Sequence, residues 1–122
     1  KRREIYDFYF EILGEVDGIS FLNEPNGFFS NRWLTTIIID KLKFSNIDRE
    51  KVRIEVLKEN IESRPLWKPM HMQPIYKNFS FYGADTCEKI FNNGLCLPSG
   101  SSLDEYDKER IRKILSNIFN LD

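Results

Sequence analysis

Apolar residues open the chain at helical spacing. Ile5, Phe8, Tyr9, Ile12 and Leu13 fall at i, i+3, i+4, i+7 and i+8, one stripe along a helix over 1–13 that Gly14 can stop. Ile19–Leu22 is a short apolar run that predicts a strand, and Asn23–Gly27, with Pro25 and Asn26, predicts a turn. Arg32–Asp40 reads RWLTTIIID; its β-branched residues make it the strongest strand, with Trp33 expected in the core. Ser45 and Asn46 can cap a second helix, with Asp48 and Glu50 in its first turn, where the helix dipole favours acid. Its expected buried face is Ile47, Ile54, Leu57 and Ile61. Pro65 pushes Arg64 toward extended geometry, and three prolines within 64–76 predict an extended, ordered loop and no helix. Asp85 can cap a short helix carrying Cys87, Ile90 and Phe91, stopped by Gly94. A strand over Leu95–Leu97 and a turn over 98–101 come next. Ser102 and Glu105 have capping-box spacing and would open a last helix with Ile111, Ile114, Leu115 and Ile118 on one face.

The order is helix, strand, strand, helix, loop, helix, strand, helix, with no repeat and no internal linker. It predicts a single small α+β domain over the 122 residues, a short and mainly antiparallel sheet covered by helices. Charge narrows the partners. Eighteen basic and 19 acidic residues give a net charge of −1, without the basic excess of a phosphate-driven nucleic-acid binder, so no nucleic-acid partner is expected. The densest basic run, Lys1–Arg3, reads as a solvated helix end. The longest apolar stretch, near 35–39, is far short of the roughly 18 residues of a membrane helix, so no membrane partner is expected. No signal-peptide pattern opens the chain. Without an initiator Met it is expected to be a fragment. Cys87 and Cys96 lack zinc-ligand spacing and are expected as reduced, mostly buried thiols, which fits a cytoplasmic protein.

Catalytic motifs are missing: the sequence contains no G-x-S-x-G, no G-x-x-x-x-G-K-[ST] and no H-E-x-x-H. The unusual stretch is RPLWKPMHMQPIY (64–76), which gathers Arg64, Lys68, His71 and Gln73 beside Trp67 and Met70. Prolines can hold such groups in place outside regular elements. Arg and Lys suit phosphate or carboxylate, and an indole face suits a base or sugar ring. The stretch therefore reads as an anion-binding loop, with a nucleotide as one candidate ligand, or as a crossover whose charges face water.

Three segments carry a family resemblance: SNRWLTTIIID (30–40), ESRPLWKPMHMQPIYK (62–77) and NNGLCLPSGSSL (92–103). In this order they resemble the C-terminal part of the DegT/DnrJ-family sugar-nucleotide aminotransferases, and KRREIYDFYFEIL resembles the helix leading into that family's small domain. The NRWLT and RPLWKPMH forms resemble the branch that aminates UDP-linked 4-keto-6-deoxy-N-acetyl sugars in bacillosamine and legionaminic acid pathways.

The resemblance implies the small C-terminal domain of a fold-type I, aspartate-aminotransferase-like enzyme, with residues 1–14 as a linking helix. It implies pyridoxal phosphate as cofactor, an amino acid, expected to be glutamate, as donor, and the C4 keto group of a nucleotide-linked sugar as acceptor. A large domain of the same chain and a homodimer are implied as partners. The family's Schiff-base lysine lies in that large domain and its motif is absent here. This chain alone is therefore expected to be inactive and to hold no cofactor covalently. Its implied share is one wall of the substrate cleft. The family's H-x-Q element falls on His71 and Gln73. Arg64 and Lys68 are candidate anion partners, Trp67 and Met70 candidate walls, and Asn31 and Arg32 candidate contacts. Phe28 and Phe29 are expected to be exposed where the large domain would sit. The alternative is a free-standing, non-catalytic sugar-nucleotide-binding module.

Overall fold

In the computed structural model, which describes residues 1–121, α1 spans Arg2–Leu13 and buries Ile5, Phe8, Tyr9 and Leu13, the stripe its spacing predicts. Gly14 ends it in right-handed geometry, and the chain reverses further on, at Gly18, whose φ is +92°. The strands are β1 (Ile19–Phe21), β2 (Thr35–Ile39), β3 (Arg64–Pro65) and β4 (Gly94–Leu97). They form one sheet in the order β1-β2-β4-β3, with every neighbouring pair antiparallel. The other helices are α2 (Arg49–Lys58), α3 (Thr86–Asn93) and α4 (Glu105–Phe119). This is the expected α+β fold, an antiparallel sheet covered by helices.

Register divides the sheet into two faces. Thr35 pairs with Leu97 and Ile37 with Leu95, and all four are buried with Ile39. This face carries the core, where α1, α2 and α4 add Tyr9, Leu13, Val52, Val56, Ile111 and Leu115. The opposite face carries Thr36 paired with Cys96 and Ile38 paired with Gly94. A Cβ built on Gly94 would lie 2.1 Å from Leu66 Cδ1, so Leu66 lies directly over that second face.

Several local expectations change. The strand expected from Arg32 starts at Thr35 instead, because Arg32 has φ +48° and the Thr35 amide donates to the Ser99 hydroxyl at 2.8 Å. Trp33 is 59% exposed and is not a core residue. In α2 the cap is Asp48, which accepts from the Lys51 amide, rather than Ser45 or Asn46. Its buried face is Val52 and Val56, while Ile54 and Leu57 face outward. With apolar residues on both sides of this helix, spacing left two faces open, and packing against α4 and β4 selects the valines. Within 64–76 the chain makes two single turns of 3₁₀ helix, Met70–Met72 and Pro74–Tyr76, in place of a wholly extended loop. The capping box that opens α4 is Asp104 with Asp107, not Ser102 with Glu105. Both cysteines are free; Cys96 is buried but Cys87 is exposed.

Tyr9 ties α1 to the turn after β4. Its side chain is fully buried and its hydroxyl donates to the Pro98 carbonyl at 2.8 Å. Burial pushes the phenol pKa well above its ordinary value. Tyr9→Phe removes the donor and leaves the carbonyl without this partner. It should lower unfolding free energy by about 1 kcal/mol in denaturant titration, and an unchanged midpoint would contradict the role given to this bond.

Candidate functional site

Four of the sequence-predicted site residues, Asn31, Arg32, Arg64 and Trp67, gather on the second face of the sheet. The Leu66 amide donates to the Gly94 carbonyl at 3.3 Å and extends the β3–β4 pairing by one residue. From there the chain lifts Trp67 off the sheet and onto Trp33, the ring centroids 6.3 Å apart and the planes 28° from parallel. Trp67 is 66% exposed, so the pair forms an open aromatic platform.

Trp33 reaches that position through a turn built by short polar side chains. The Ser30 hydroxyl accepts from the Arg32 amide at 3.1 Å, and Asn31 Oδ1 accepts from the Trp33 amide at 3.0 Å. These side-chain turns stabilise the left-handed backbone at Arg32, which a residue with a Cβ otherwise rarely adopts. The Arg32 guanidinium lies 3.8 Å over the Tyr6 ring and donates to the Leu22 carbonyl at 2.8 Å. Asn31, Arg32, Trp33 and Trp67 line a cavity of about 330 Å³ floored by Thr36 and Leu66. Arg64 and Trp67 line an adjoining one of about 270 Å³ that reaches Cys96.

Beneath the turn, Arg2 and Arg3 of the basic run at the start of α1 are engaged rather than solvated, while Lys1 is exposed. Arg3 Nη1 donates to Glu24 Oε2 at 2.8 Å and to the Ser30 carbonyl at 2.6 Å. The Ser30 amide donates back to Glu24 Oε2. The Arg3 hydrogen bond, with the Ser30 amide second, holds the Glu24 carboxyl down at about 2, far below the usual carboxylate range. Arg2 Nη1 donates to the Trp33 carbonyl and, at 3.0 Å, to the Ser99 carbonyl.

His71 belongs to a different group. Its Nε2 lies 2.9 Å from Glu88 Oε1 on the first turn of α3, and its ring stacks on Phe81 at 3.8 Å. With Met70, Tyr76 and Phe81 it lines a third cavity of about 430 Å³. Glu88 as acceptor favours the tautomer with the proton on Nε2, which leaves Nδ1 as an acceptor. Gln73 lies against Met70, its Nε2 3.7 Å from the sulfur. Lys68 is exposed and makes no ion pair among the described residues, whereas Arg64 pairs with Glu62 at 2.7 Å.

The structure thus unites Asn31, Arg32 and Trp67, joins Arg64 to Trp67, and sets Met70 and His71 apart around α3. Lys68 and Gln73 line none of these three cavities. Sequence reasoning missed Trp33 as a platform, Glu24 as an anchor, and Phe81 and Glu88 as the setting of His71. The Ser-Asn pair just before Arg32 was the available signal for the turn; nothing in the sequence marked Glu88.

No lysine among the described residues is buried. These residues therefore offer no buried amine for the imine that holds pyridoxal phosphate, a bond that needs a desolvated or otherwise activated lysine. No cluster of metal-ligating side chains occurs among the described residues.

Gly94 is the point where the site segment meets the sheet. Gly94→Ala would drive a Cβ into Leu66 and to 2.5 Å from the Ile90 carbonyl. It should cost about 1–3 kcal/mol of stability and displace Trp67 from Trp33, read as a change in tryptophan emission. Unaltered stability and emission would contradict this close approach.

The comparisons with known proteins agree with this architecture. The profile of the DegT/DnrJ/EryC1/StrS aminotransferase family matches residues 1–116. A Bacillus subtilis protein, EpsN, named as a pyridoxal phosphate-dependent aminotransferase, is 39% identical over 124 residues, covering 98% of this chain and 31% of that protein. The GDP-perosamine synthase of Vibrio cholerae is 30% identical, covering 98% of this chain and 32% of that enzyme. The crystal structure of a DegT DnrJ EryC1 StrS aminotransferase from Brucella abortus superposes with a TM-score of 0.78 at 25% identity, over 97% of this chain and 30% of that one. The chain thus spans about a third of the length of the curated relatives it matches. On this match, which takes in α1, the sheet and both site segments, the chain belongs to the DegT/DnrJ/EryC1/StrS aminotransferase family.

Proposed function

We propose that this chain is the C-terminal part of a pyridoxal phosphate-dependent aminotransferase that moves an amino group from an amino acid, glutamate by preference, to the C4 keto carbon of a nucleotide-linked 4-keto-6-deoxy sugar. The acceptor we favour is a UDP-linked N-acetyl sugar, made for a surface glycan in the cytoplasm. The observation that carries the reading is the open Trp33–Trp67 platform with Arg32 and Arg64 on the cavities beside it. A planar ring joined to a diphosphate is the ligand chemistry that such a surface suits. The relative named GDP-perosamine synthase lends the nucleotide part of the reading its support.

In this proposal the chain binds and orients but does not carry the reacting group. Trp33 and Trp67 stack a flat part of the ligand, and Met70 is an apolar wall beside His71. Arg32 and Arg64 meet anionic oxygens and Asn31 meets sugar hydroxyls, with Lys68 and Gln73 reaching the anion and the sugar from outside the three cavities. His71 offers Nδ1 as an acceptor to a sugar hydroxyl or amide, while Glu88 and Phe81 fix its ring. Pyridoxal phosphate, the electron sink of amino transfer, would be held outside these 122 residues, in a larger domain that also closes the cleft, within a homodimer. The exposed Phe28 and Phe29 are candidates for contact with that domain.

The test is made in the full-length gene product that carries this chain. His71→Ala should lower kcat/KM for amination of a UDP-linked 4-keto-6-deoxy-N-acetyl sugar by about tenfold or more, since one lost site interaction of about 1.4 kcal/mol has that effect. Activity and substrate affinity within about twofold of the parent would remove His71 from the site. A full-length product that neither binds pyridoxal phosphate nor aminates any keto sugar, yet binds UDP-sugars, would favour the non-catalytic binding module.

A further inference from the structure

We propose that Glu24 is the positioning residue of the candidate cleft: through Arg3 and the Ser30 amide it sets the left-handed turn at Arg32, and so the Trp33–Trp67 platform, for a ligand with a planar ring and anionic groups. The ligand class rests on the proposed nucleotide-sugar function; the clamp itself does not.

Glu24 lies in a loop that regular pairing leaves alone, between the end of β1 at Phe21 and the start of β2 at Thr35. A loop of this length has no ladder to fix it, so its conformation must come from side chains. Glu24 bridges two points within it, residues 24 and 30. One carboxylate oxygen takes both Arg3 Nη1 at 2.8 Å and the Ser30 amide, and the other faces Arg3 Nη2 at 3.3 Å. Arg3 closes the ring by donating to the Ser30 carbonyl at 2.6 Å. Both backbone polar groups of Ser30 are thereby held by one ion pair, and that pair is anchored to α1, a helix whose apolar face is in the core.

The placement of Ser30 decides the path of the next three residues. Its hydroxyl accepts from the Arg32 amide, the backbone turns left-handed there, and the Trp33 amide is taken by Asn31. The guanidinium of Arg3 also lies 4.5 Å over the Phe29 ring, so the residue before the clamp is held as well. The hydrogen bonds of Glu24 go to Arg3 and the Ser30 amide, and it reaches Trp33 through this relay. Arg32 stands nearby on its own supports, the Leu22 carbonyl and the Tyr6 ring.

The platform supplies its own readout. The chain has two tryptophans, Trp33 and Trp67, and they are stacked. Stacked indoles give a far-ultraviolet dichroism couplet that disappears when the rings separate. In the full-length product that carries this chain, with the couplet read as the signal lost in Trp67→Phe, Glu24→Gln keeps the shape of the side chain and removes its charge. The couplet should fall by about fivefold or more, because charge-assisted hydrogen bonds are roughly twice as strong as neutral ones and the lost difference of about 1 kcal/mol shifts a conformational equilibrium by about that factor. Arg3→Lys, which keeps the charge and loses the two-pronged contact, should act in the same direction. The double variant should lose little more than either single one, since both break one unit. Glu105→Gln, the same charge change at an exposed pair on α4, should leave the couplet intact.

Helical dichroism and the melting curve verify the fold of each variant; if Glu24→Gln fails to fold, Arg3→Lys carries the prediction. A couplet that survives in the folded variants overturns the proposal, as does a parent chain that lacks one. Titration with UDP-N-acetylglucosamine separates the two claims. A couplet lost in Glu24→Gln, together with parent tryptophan emission that the UDP-sugar never changes, supports the clamp and counts against the nucleotide-sugar reading.

Discussion

The pairing of β2 with β4 governs the rest of the molecule. All four residues of β4 are buried, and β2 alternates between fully and partly buried positions. An antiparallel sheet commonly leaves one face to water, but here the second face is covered as well. Three helices meet the face of Thr35, Ile37, Leu95 and Leu97. Leu66 crosses the other face at Gly94, where a side chain would leave no space for it. One central pair of strands therefore sets both the core and the origin of the site segment. Loss of the close fit at Gly94 would be felt at Leu66, next to Trp67, and at the Ile90 carbonyl of α3.

On that base, the site is held by contacts that cross long stretches of sequence. Arg2 and Arg3 on α1 reach the turn at 30–33, and Arg2 also reaches Ser99 beyond β4. The result is a surface with two parts. Around Trp33 and Trp67 it is aromatic and basic, and its turn is fixed by an ion pair. Around His71 it is more apolar, and the imidazole is locked between Phe81 and Glu88. The first part suits a planar, anionic group; the second suits a ligand that offers a hydrogen-bond donor to a fixed ring nitrogen.

Much of the fold was legible because its elements keep one strong period. The stripe of α1 could be placed from spacing and the second strand from its β-branched residues; the structure keeps the stripe and shortens the strand expected over 32–40 to Thr35–Ile39. Period failed where a few atoms decide. By strand alternation Trp33 belongs with Thr35 and Ile37 in the core, but the left-handed Arg32 breaks the strand and releases the indole to the other face. In α2, apolar residues at 52, 54, 56 and 57 gave two acceptable faces, and only the neighbouring elements could choose. Sequence motifs could nominate candidate site residues but not their grouping. Gln73 and Lys68 shared a motif with Trp67 yet line none of the cavities beside it. Glu24 and Glu88 looked like ordinary surface acids, because their arginine and histidine partners lie 21 and 17 residues away.

The most direct measurement of the central claim is hydrogen exchange of the full-length product with and without a UDP-linked 4-keto-6-deoxy sugar. If the second sheet face is the wall of the cleft, ligand should slow exchange at the amides of 30–34 and 66–72 and leave α2 and the outer face of α4 unchanged. Protection confined to α2 or α4, or absent from both site segments while the ligand is bound, would contradict it.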